Sequence, residues 1–174
     1  MSETASLRAV GSDVKDEASV ASFEGFFERE RDGLYRTLWL VTRNRFEAEE
    51  LSQEAFVRVL ERWDRVSAME EPRRYLYRTA MNAFRTGCAR ARLGARRSMG
   101  LVPDDDAMAA IDERDATVRA LASLSSRQRA AVVLTDMLGF RSEEAARMLG
   151  IRASTLRMHA SRAHAALKET MARD

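Results

Sequence analysis

Apolar residues recur every three or four positions along most of this chain, and no stretch alternates apolar and polar residues as a half-buried strand would. The first apolar run begins at Phe23, in FEGFFERERDGLYRTLWLV. The second, FEAEELSQEAFVRVLERWDRV, follows Asn44, which with Glu47 three residues later resembles a capping box. Charged residues make up 32% of the chain, whereas Pro and Gly number only 2 and 8. The pattern predicts an all-α protein.

The second run is predicted to form an amphipathic helix. Its buried residues are expected to be Leu51, Ala55, Val59, Leu60 and Trp63. Its other side carries Glu47, Glu50, Gln53, Glu54 and Arg58. Periodicity alone favours a solvated charged face for this second set.

A pair of helices with a tight turn is predicted near the C-terminal end, in SEEAARMLGIRASTLRMHASRAHAAL. Ser142 is placed to cap the first helix, and Gly150 is placed to end it in a left-handed conformation. The second helix is predicted to begin near Ala153 or Ser154 and carries several arginines. This arrangement is typical of a helix-turn-helix that reads the DNA major groove. An ordinary helical hairpin with a solvated basic face is the alternative. Upstream, Ser125 and Gln128 predict a capping box that opens a further helix.

Residues 72–102 contain eight arginines and no acidic residue. Pro72 is placed to start a helix there. Like charges four residues apart destabilise an isolated helix, so a helix of one sign with interleaved aromatic residues favours a polyanion partner. Arginines neutralise phosphates, and aromatic rings stack on unpaired bases. A structural helix whose arginine stems cover apolar surface is the alternative.

The net charge of +2 conceals an uneven distribution. Residues 23–98 carry a net +4 and residues 119–174 a net +5, and the intervening residues 99–118 carry −5. This profile predicts two small helical, nucleic-acid-facing domains joined by a flexible acidic linker. The boundaries are placed at 1–21 for a disordered N-terminal tail, 22–97 for the first domain, 98–116 for the linker and 117–171 for the second domain.

Several classes of protein are disfavoured by the sequence. Cys88 is the only cysteine, which excludes an internal disulfide and a cysteine-based zinc site. His159 and His164 have no carboxylate at metal-ligand spacing, so neither a metal nor a cofactor is expected. No stretch approaches the ~20 apolar residues of a membrane span, and the N-terminus lacks a signal pattern, so we expect a cytoplasmic protein without membrane insertion. An enzyme acting on nucleic acid is the weakest hypothesis, because no paired carboxylates lie beside a His, Cys or Lys.

Three segments together resemble the extracytoplasmic-function (ECF) subfamily of the bacterial sigma-seventy-type sigma factors, over about residues 22–171. EAEELSQEAFVRVLERW resembles the family's helix that binds core RNA polymerase. PRRYLYRTAMNAFRTGCARAR resembles its helix that melts the promoter and reads the −10 element. LSSRQRAAVVLTDMLGFRSEEAARMLGIRASTLRMHASRAHAAL resembles its −35-reading domain. The three motifs in this order are far more specific than any one of them.

The resemblance implies a specificity subunit of RNA polymerase that has no catalytic site of its own. Its partners would be core RNA polymerase, through the β′ clamp helices and the β flap, promoter DNA, and an anti-sigma factor. The alternative is a self-sufficient helix-turn-helix regulator that binds duplex DNA without polymerase. The first half of the chain distinguishes the two, because such a regulator needs neither the 47–56 surface nor the arginine helix.

The resemblance also implies three sets of contact residues. Those that bind core polymerase would be Glu47, Glu50, Leu51, Gln53, Glu54 and Phe56. Those that bind the −10 DNA would be Arg73, Arg74, Tyr75, Arg78, Asn82 and Arg85. Those that bind the −35 DNA would be Arg152, Ser154, Thr155, Arg157, Met158, His159 and Arg162. Met158 and His159 replace a Ser and an Arg that are common in the family, and so predict an altered base preference.

Overall fold

The structure, a computed structural model, describes residues 3–95 and 120–171, and the side chains of residues 22–87 and 120–170. Within these ranges the chain is helical and contains no strand, which confirms the all-α prediction. A π-helical turn over Val133–Met137 continues the fifth helix. The predicted linker, residues 98–116, lies outside the described residues. The helices are α1 (Glu3–Thr42), α2 (Arg45–Leu60), α3 (Trp63–Ser67), α4 (Pro72–Ala95), α5 (Ser126–Val132), α6 (Ser142–Leu149) and α7 (Ala153–Met171).

The first half of the chain, α1 to α4, turns sharply between α1 and α2. Arg43 adopts a left-handed backbone conformation there, with φ of 56°, and its guanidinium lies 4.4 Å from the centre of the Trp39 ring. Asn44 then accepts a hydrogen bond from the backbone N–H of Glu47 at 3.0 Å. The predicted cap of α2 is therefore confirmed, and α4 begins at Pro72 as predicted.

Aromatic rings form one end of the core of the first half. Phe27 packs against Phe56 with ring centres 4.7 Å apart, and Phe26 packs against Trp63 at 5.0 Å. Phe23 contacts both Phe56 and Trp63, at 6.5 and 5.4 Å. These contacts join α1 to α2 and α3, and the buried side of α4 covers the remaining apolar surface.

The N-terminal segment differs from its prediction as a disordered tail. Residues 1–21 were expected to lack structure because their apolar residues show no sustained period, but α1 begins at Glu3 and continues without a break to Thr42. Alanine, glutamate, lysine and leucine within this segment have high helix propensity, which permits a helix without an apolar stripe.

Two glycines in the second half of the chain adopt the left-handed backbone conformation at the ends of helical segments. Gly139 (φ 68°) follows the π-helical turn, and Gly150 (φ 64°) ends α6. The N–H of Ile151 donates to the carbonyl of Ala146 at 3.0 Å, which is the hydrogen bond expected of a glycine-ended helix. Gly150 therefore has its predicted role, and the capping box of Ser125 and Gln128 is also confirmed.

The predicted cap of α6 is wrong by one residue. Ser142 is the first residue of the helix, and Arg141, in an extended conformation, occupies the cap position. The carbonyl of Arg141 accepts hydrogen bonds from the N–H groups of Glu144 and Ala145, both at 2.9 Å. No side chain caps this end of α6. The predicted start of α6 was therefore one residue too late, because a serine before two glutamates is a common capping pattern and here lies inside the helix.

The two halves pack against each other in the structure. Buried apolar residues of both belong to one continuous core, in which α4 contacts α6 and the end of α1 contacts α5. The buried side chain of Arg129 joins the halves. Its Nε donates to the carbonyl of Val41 at 3.1 Å, and its Nη1 donates to the carbonyl of Leu124. Burial lowers the pKa of the Arg129 guanidinium, and the charge of Arg43 lowers it further.

Candidate nucleic-acid interface and docking surface

One side of α2 presents apolar side chains to solvent. Phe46, Val57 and Leu60 are 63%, 55% and 47% exposed. With the exposed residues Glu50 and Gln53 between them, they occupy positions 46, 50, 53, 57 and 60, alternating steps of four and three. This spacing forms a stripe along one side of a helix and suits contact with another helix. We call these five residues the outer face of α2.

Two residues expected to contact the polymerase lie on the opposite side of α2. Leu51 is 6% exposed and Phe56 is 4% exposed, and both belong to the core. They hold α2 against α1 and do not reach the surface. Leu60 shows the reverse difference, because it was expected in the core and is exposed. Helix α2 ends at Leu60, and the chain turns at Glu61 and Arg62. Trp63, the first residue of α3, is buried in the core.

The outer face of α2 lies beside acidic residues. Glu50, Gln53 and Glu54 are exposed as expected, and Glu54 pairs with Arg58 at 2.5 Å. Burial raises the pKa of Glu47, and the neighbouring charge of Glu50 raises it further. The face therefore combines apolar and acidic groups, which suits a partner surface that is apolar with basic residues at its edge.

Three arginines near the start of α4 contact two different neighbouring helices. Arg73 pairs with Glu30 of α1 at 3.1 Å and lies 5.3 Å from the centre of the Tyr77 ring. Arg74 and Arg78 both pair with Glu144 of α6, at 2.9 and 2.6 Å. All three remain at least partly exposed.

The other residues expected to contact the −10 DNA lie along the same helix. Tyr75 is half-buried, and its hydroxyl accepts a hydrogen bond from Arg62 at 3.2 Å. Asn82 is partly exposed, and its backbone carbonyl accepts a hydrogen bond from Thr86. The exposed side chain of Arg85 lies against Gly150. Tyr77 and Phe84, two of the aromatic residues interleaved with these arginines in the sequence, are buried in the core and cannot stack on a base.

The second helix of the helix-turn-helix, α7, presents its basic side to solvent. Arg152, Arg157 and Arg162 are exposed, and Arg157 pairs with Glu143 at 3.1 Å. The seven residues expected to contact the −35 DNA are all exposed or partly exposed: Arg152, Ser154, Thr155, Arg157, Met158, His159 and Arg162. The buried side of α7 includes Leu156 and Ala163, so the helix has opposed apolar and basic sides.

The two histidines have different surroundings. Burial lowers the pKa of His159, and the charges of Arg127 and Arg162 lower it further, so its imidazole is neutral at pH 7. His164 lies 2.6 Å from Asp136. Burial raises the pKa of Asp136, but the hydrogen bonds of His164 and Thr135 outweigh it and leave the pKa lowered. This contact joins residues 28 positions apart, a separation over which helical periodicity and capping residues carry no signal.

Two negative findings apply to the described part of the chain. Residues 3–95 and 120–171 contain no helix with both the length and the apolar character needed to cross a membrane. The same residues bring together no three metal-ligating side chains in a group that could hold a metal ion.

Comparison with known proteins connects both halves of the chain to one family. The model described as Sigma-70 region 2 matches residues 26–93, and the model described as Sigma-70, region 4 matches residues 114–167. The chain is 31% identical over 155 residues to the RNA polymerase sigma-E factor of Streptomyces avermitilis, with 87% of this chain and 86% of the relative covered. It is 30% identical over 152 residues to the ECF RNA polymerase sigma factor SigM of Mycobacterium tuberculosis, covering 84% and 75%.

A solved structure shares the fold. The sigma factor RpoE of Bartonella quintana, crystallised in complex with the anti-sigma factor NepR, superposes with a TM-score of 0.65. The alignment covers 88% of this chain and 98% of that one, at 22% sequence identity. The likeness therefore supports the arrangement of helices.

Proposed function

This chain belongs to the ECF group of the sigma-70 family of RNA polymerase sigma factors, and from that membership we propose that it directs core RNA polymerase to a particular set of promoters. In this proposal the chain has no catalytic site of its own. It recognises the −35 and −10 elements, helps to separate the strands, and leaves the synthesis of RNA to the polymerase.

The observation that carries the proposal is the outer face of α2. Phe46, Val57 and Leu60 are all exposed on one side of α2, with Glu50 and Gln53 between them, and a row with this spacing suits contact with a helix of a partner. A stand-alone regulator that binds duplex DNA through α7 has no need of it. We propose that this face contacts the β′ clamp helices of core polymerase, together with Glu47, Glu50, Gln53 and Glu54. Leu51 and Phe56 support it from the core.

The two DNA contacts belong to different helices. We propose that Arg73, Arg74, Arg78 and Arg85 of α4 bind the phosphates of the −10 strand, with Tyr75 beside a base. Asn82 would help to capture an unstacked base, whose extrusion costs a few kcal/mol that a protein pocket offsets. We propose that α7 enters the major groove of the −35 element, where arginine can contact guanine with two hydrogen bonds. The second half would also contact the β flap of the polymerase.

Run-off transcription with core polymerase tests the proposal. Promoters for the assay are selected from the host genome by binding to the reconstituted holoenzyme. We expect transcripts that begin at defined sites only when this chain is added. Tight binding to duplex DNA by the chain alone, with no transcript from any selected promoter, would contradict the proposal and favour a stand-alone regulator.

We also propose control by an anti-sigma factor. The Bartonella quintana sigma factor of the same fold was solved with such a partner, and the exposed faces of α2 and α7 offer surfaces that a partner could cover. The test is a purified host protein added to the transcription assay. An anti-sigma factor should reduce the transcripts in proportion to its concentration, and an excess of this chain should restore them.

A further inference from the structure

Two arginines of α4 that are proposed to bind promoter DNA share one carboxylate of the second half. Glu144 Oε2 lies 2.9 Å from Arg74 Nη1, and Glu144 Oε1 lies 2.6 Å from Arg78 Nη2. The Glu144 side chain is only 12% exposed. Hydrogen bonds between charged groups are shorter and stronger than those between neutral ones. The donors of Arg74 and Arg78 that face α6 are therefore occupied while the halves are packed together.

Two neighbouring contacts extend this interface along α4. The guanidinium of Arg74 lies 4.8 Å from the centre of the Phe140 ring. The side chain of Arg85 lies so close to Gly150 that a Cβ atom there would meet Arg85 Cδ at 2.7 Å and Nη1 at 2.9 Å. Arg74, Arg78 and Arg85 thus all contact α6 or the turns at its ends. The helix-turn-helix covers part of the surface that the −10 strand needs.

The packed arrangement is also incompatible with reading both promoter elements at once. Elements centred near −35 and −10 are about 25 base pairs apart, which at about 3.4 Å per base pair is roughly 85 Å of B-form DNA. In the structure, α6 of the −35-reading half lies in direct contact with α4 of the −10-reading half. The two halves must therefore separate before the chain can bind both elements.

We infer that this interface is an autoinhibitory latch, in which Glu144 takes the place of a DNA phosphate on α4 and competes with the −10 strand for Arg74 and Arg78. The inference rests on the proposed function, because the DNA contacts of α4 are taken from it. A carboxylate between two guanidiniums satisfies the same donors as a phosphodiester. The free chain keeps its surface for single-stranded DNA closed, and separation of the halves exposes it.

Glu143 provides a matched control for Glu144. Both lie in the first turn of α6, where negative charge stabilises the helix end. Glu143 is exposed and pairs with Arg157 at 3.1 Å within its own half, whereas Glu144 pairs across the interface. Replacing either by Gln removes the same charge from the helix end, but only Glu144→Gln weakens the latch.

The first experiment measures binding of the full-length chain, without polymerase, to fluorescein-labelled single-stranded DNA of mixed sequence. Fluorescence anisotropy at fixed salt gives the Kd. We expect Glu144→Gln to bind about 3- to 10-fold more tightly than the wild type, since one paired carboxylate is lost. Glu143→Gln should stay within about twofold. Equal effects of the two changes, or no effect of Glu144→Gln, would overturn the latch.

The second experiment measures the distance between the halves. Donor and acceptor dyes are placed on Ser67→Cys and Ser161→Cys, two exposed positions on α3 and α7, in a Cys88→Ser background. We expect energy transfer to fall in Glu144→Arg, which repels Arg74 and Arg78, and to recover when Arg78→Glu is added. Circular dichroism checks that each variant is folded. Unchanged transfer in folded Glu144→Arg, or no recovery with the second change, would contradict the latch.

These outcomes separate the latch from the proposed function. The distance measurement involves neither polymerase nor promoter. If the chain opens and closes as expected but yields no transcripts, the proposed function fails, and with it the role of the latch in promoter binding. If transcripts appear but Glu144→Gln binds single-stranded DNA as the wild type does and Glu144→Arg leaves the energy transfer unchanged, the latch alone fails.

Discussion

His159 lies among arginines on the side of α7 that is proposed to face DNA. Because burial and the charges of Arg127 and Arg162 lower its pKa, the imidazole is neutral at pH 7 in the free chain. A nearby phosphate would favour the protonated form and raise the pKa on binding. The chain should then take up a proton when it binds the −35 duplex at mildly acidic pH.

We therefore expect the affinity for a −35 duplex to increase about 2- to 5-fold between about pH 7.5 and about pH 6. His159→Gln should remove this dependence, whereas His164→Gln should keep it, because His164 pairs with Asp136 instead. Anisotropy titrations across this pH range provide the measurement.

The lowered pKa of His159 also affects the stability of the free chain, which decreases as the pH falls. The unfolded chain binds the proton more readily, so the free energy of unfolding falls as pH drops below the ordinary ~6.5.

Asn82 is partly exposed on α4 and makes no side-chain hydrogen bond among those described for this helix. If its amide helps to hold an extruded base, Asn82→Ala should slow open-complex formation about 10-fold or more. Binding to core polymerase and the thermal stability should be unchanged. Permanganate footprinting measures the opening, and gel filtration with core polymerase measures the binding. Equal loss of both would make Asn82 a residue of the fold.

At the scale of single helices, the period of the sequence located α2 and its cap but not all of its buried residues. Valine lies in the core at position 59 and on the outer face at position 57, and the packing of α1 and α4 against α2 decides which side is buried. Leu60 was misplaced because the sequence does not show that the helix ends there and the chain turns toward Trp63. Phe46, Val57 and Leu60 could have been found as apolar positions about three turns and one turn of a helix apart, on the side opposite the core residues.

The outer face of α2 gives a direct prediction. Val57→Ser and Leu60→Ser together should weaken binding to core polymerase about 10-fold or more, because they remove apolar area from the proposed contact. The melting temperature should change little, since both side chains are exposed. Val59→Ala, one residue away and buried, should do the reverse, with a loss of about 1–3 kcal/mol in stability and no direct effect on binding. Titration with labelled core polymerase and thermal denaturation distinguish the two.

At the scale of the whole molecule, the sequence predicted the helices of both halves but not the contact between them. The contacts of Glu144 with Arg74 and of Arg129 with Val41 join residues 70 and 88 positions apart. Periodicity and caps are local signals and carry no information over such separations. The acid-free arginine helix suggested a polyanion partner, and in the structure part of that role is taken by a glutamate of the same chain.

The continuous core and the buried Arg129 predict that the two halves unfold together. The wild-type chain should show a single thermal transition by calorimetry. Arg129→Met keeps the apolar stem and removes the donors to Val41 and Leu124, leaving buried carbonyls without partners at a cost of about 1–3 kcal/mol each. We expect the transition to broaden or split in this variant. Arg127→Met, which alters an exposed neighbour, should leave a single transition at the original temperature.

The contact between Arg129 and Val41 constrains the sequence on one side only. Val41 offers its backbone carbonyl, which every amino acid carries, so position 41 can vary among apolar residues without losing the hydrogen bond. Position 129 must keep a long side chain with several donors, because one guanidinium reaches Val41, Leu124 and Ser126 at once. Relatives that retain this packing should therefore vary at position 41 and keep arginine at position 129. A chimera that takes its first half from such a relative should keep the hydrogen bond between positions 129 and 41. A chimera whose second half lacks this arginine should lose that hydrogen bond.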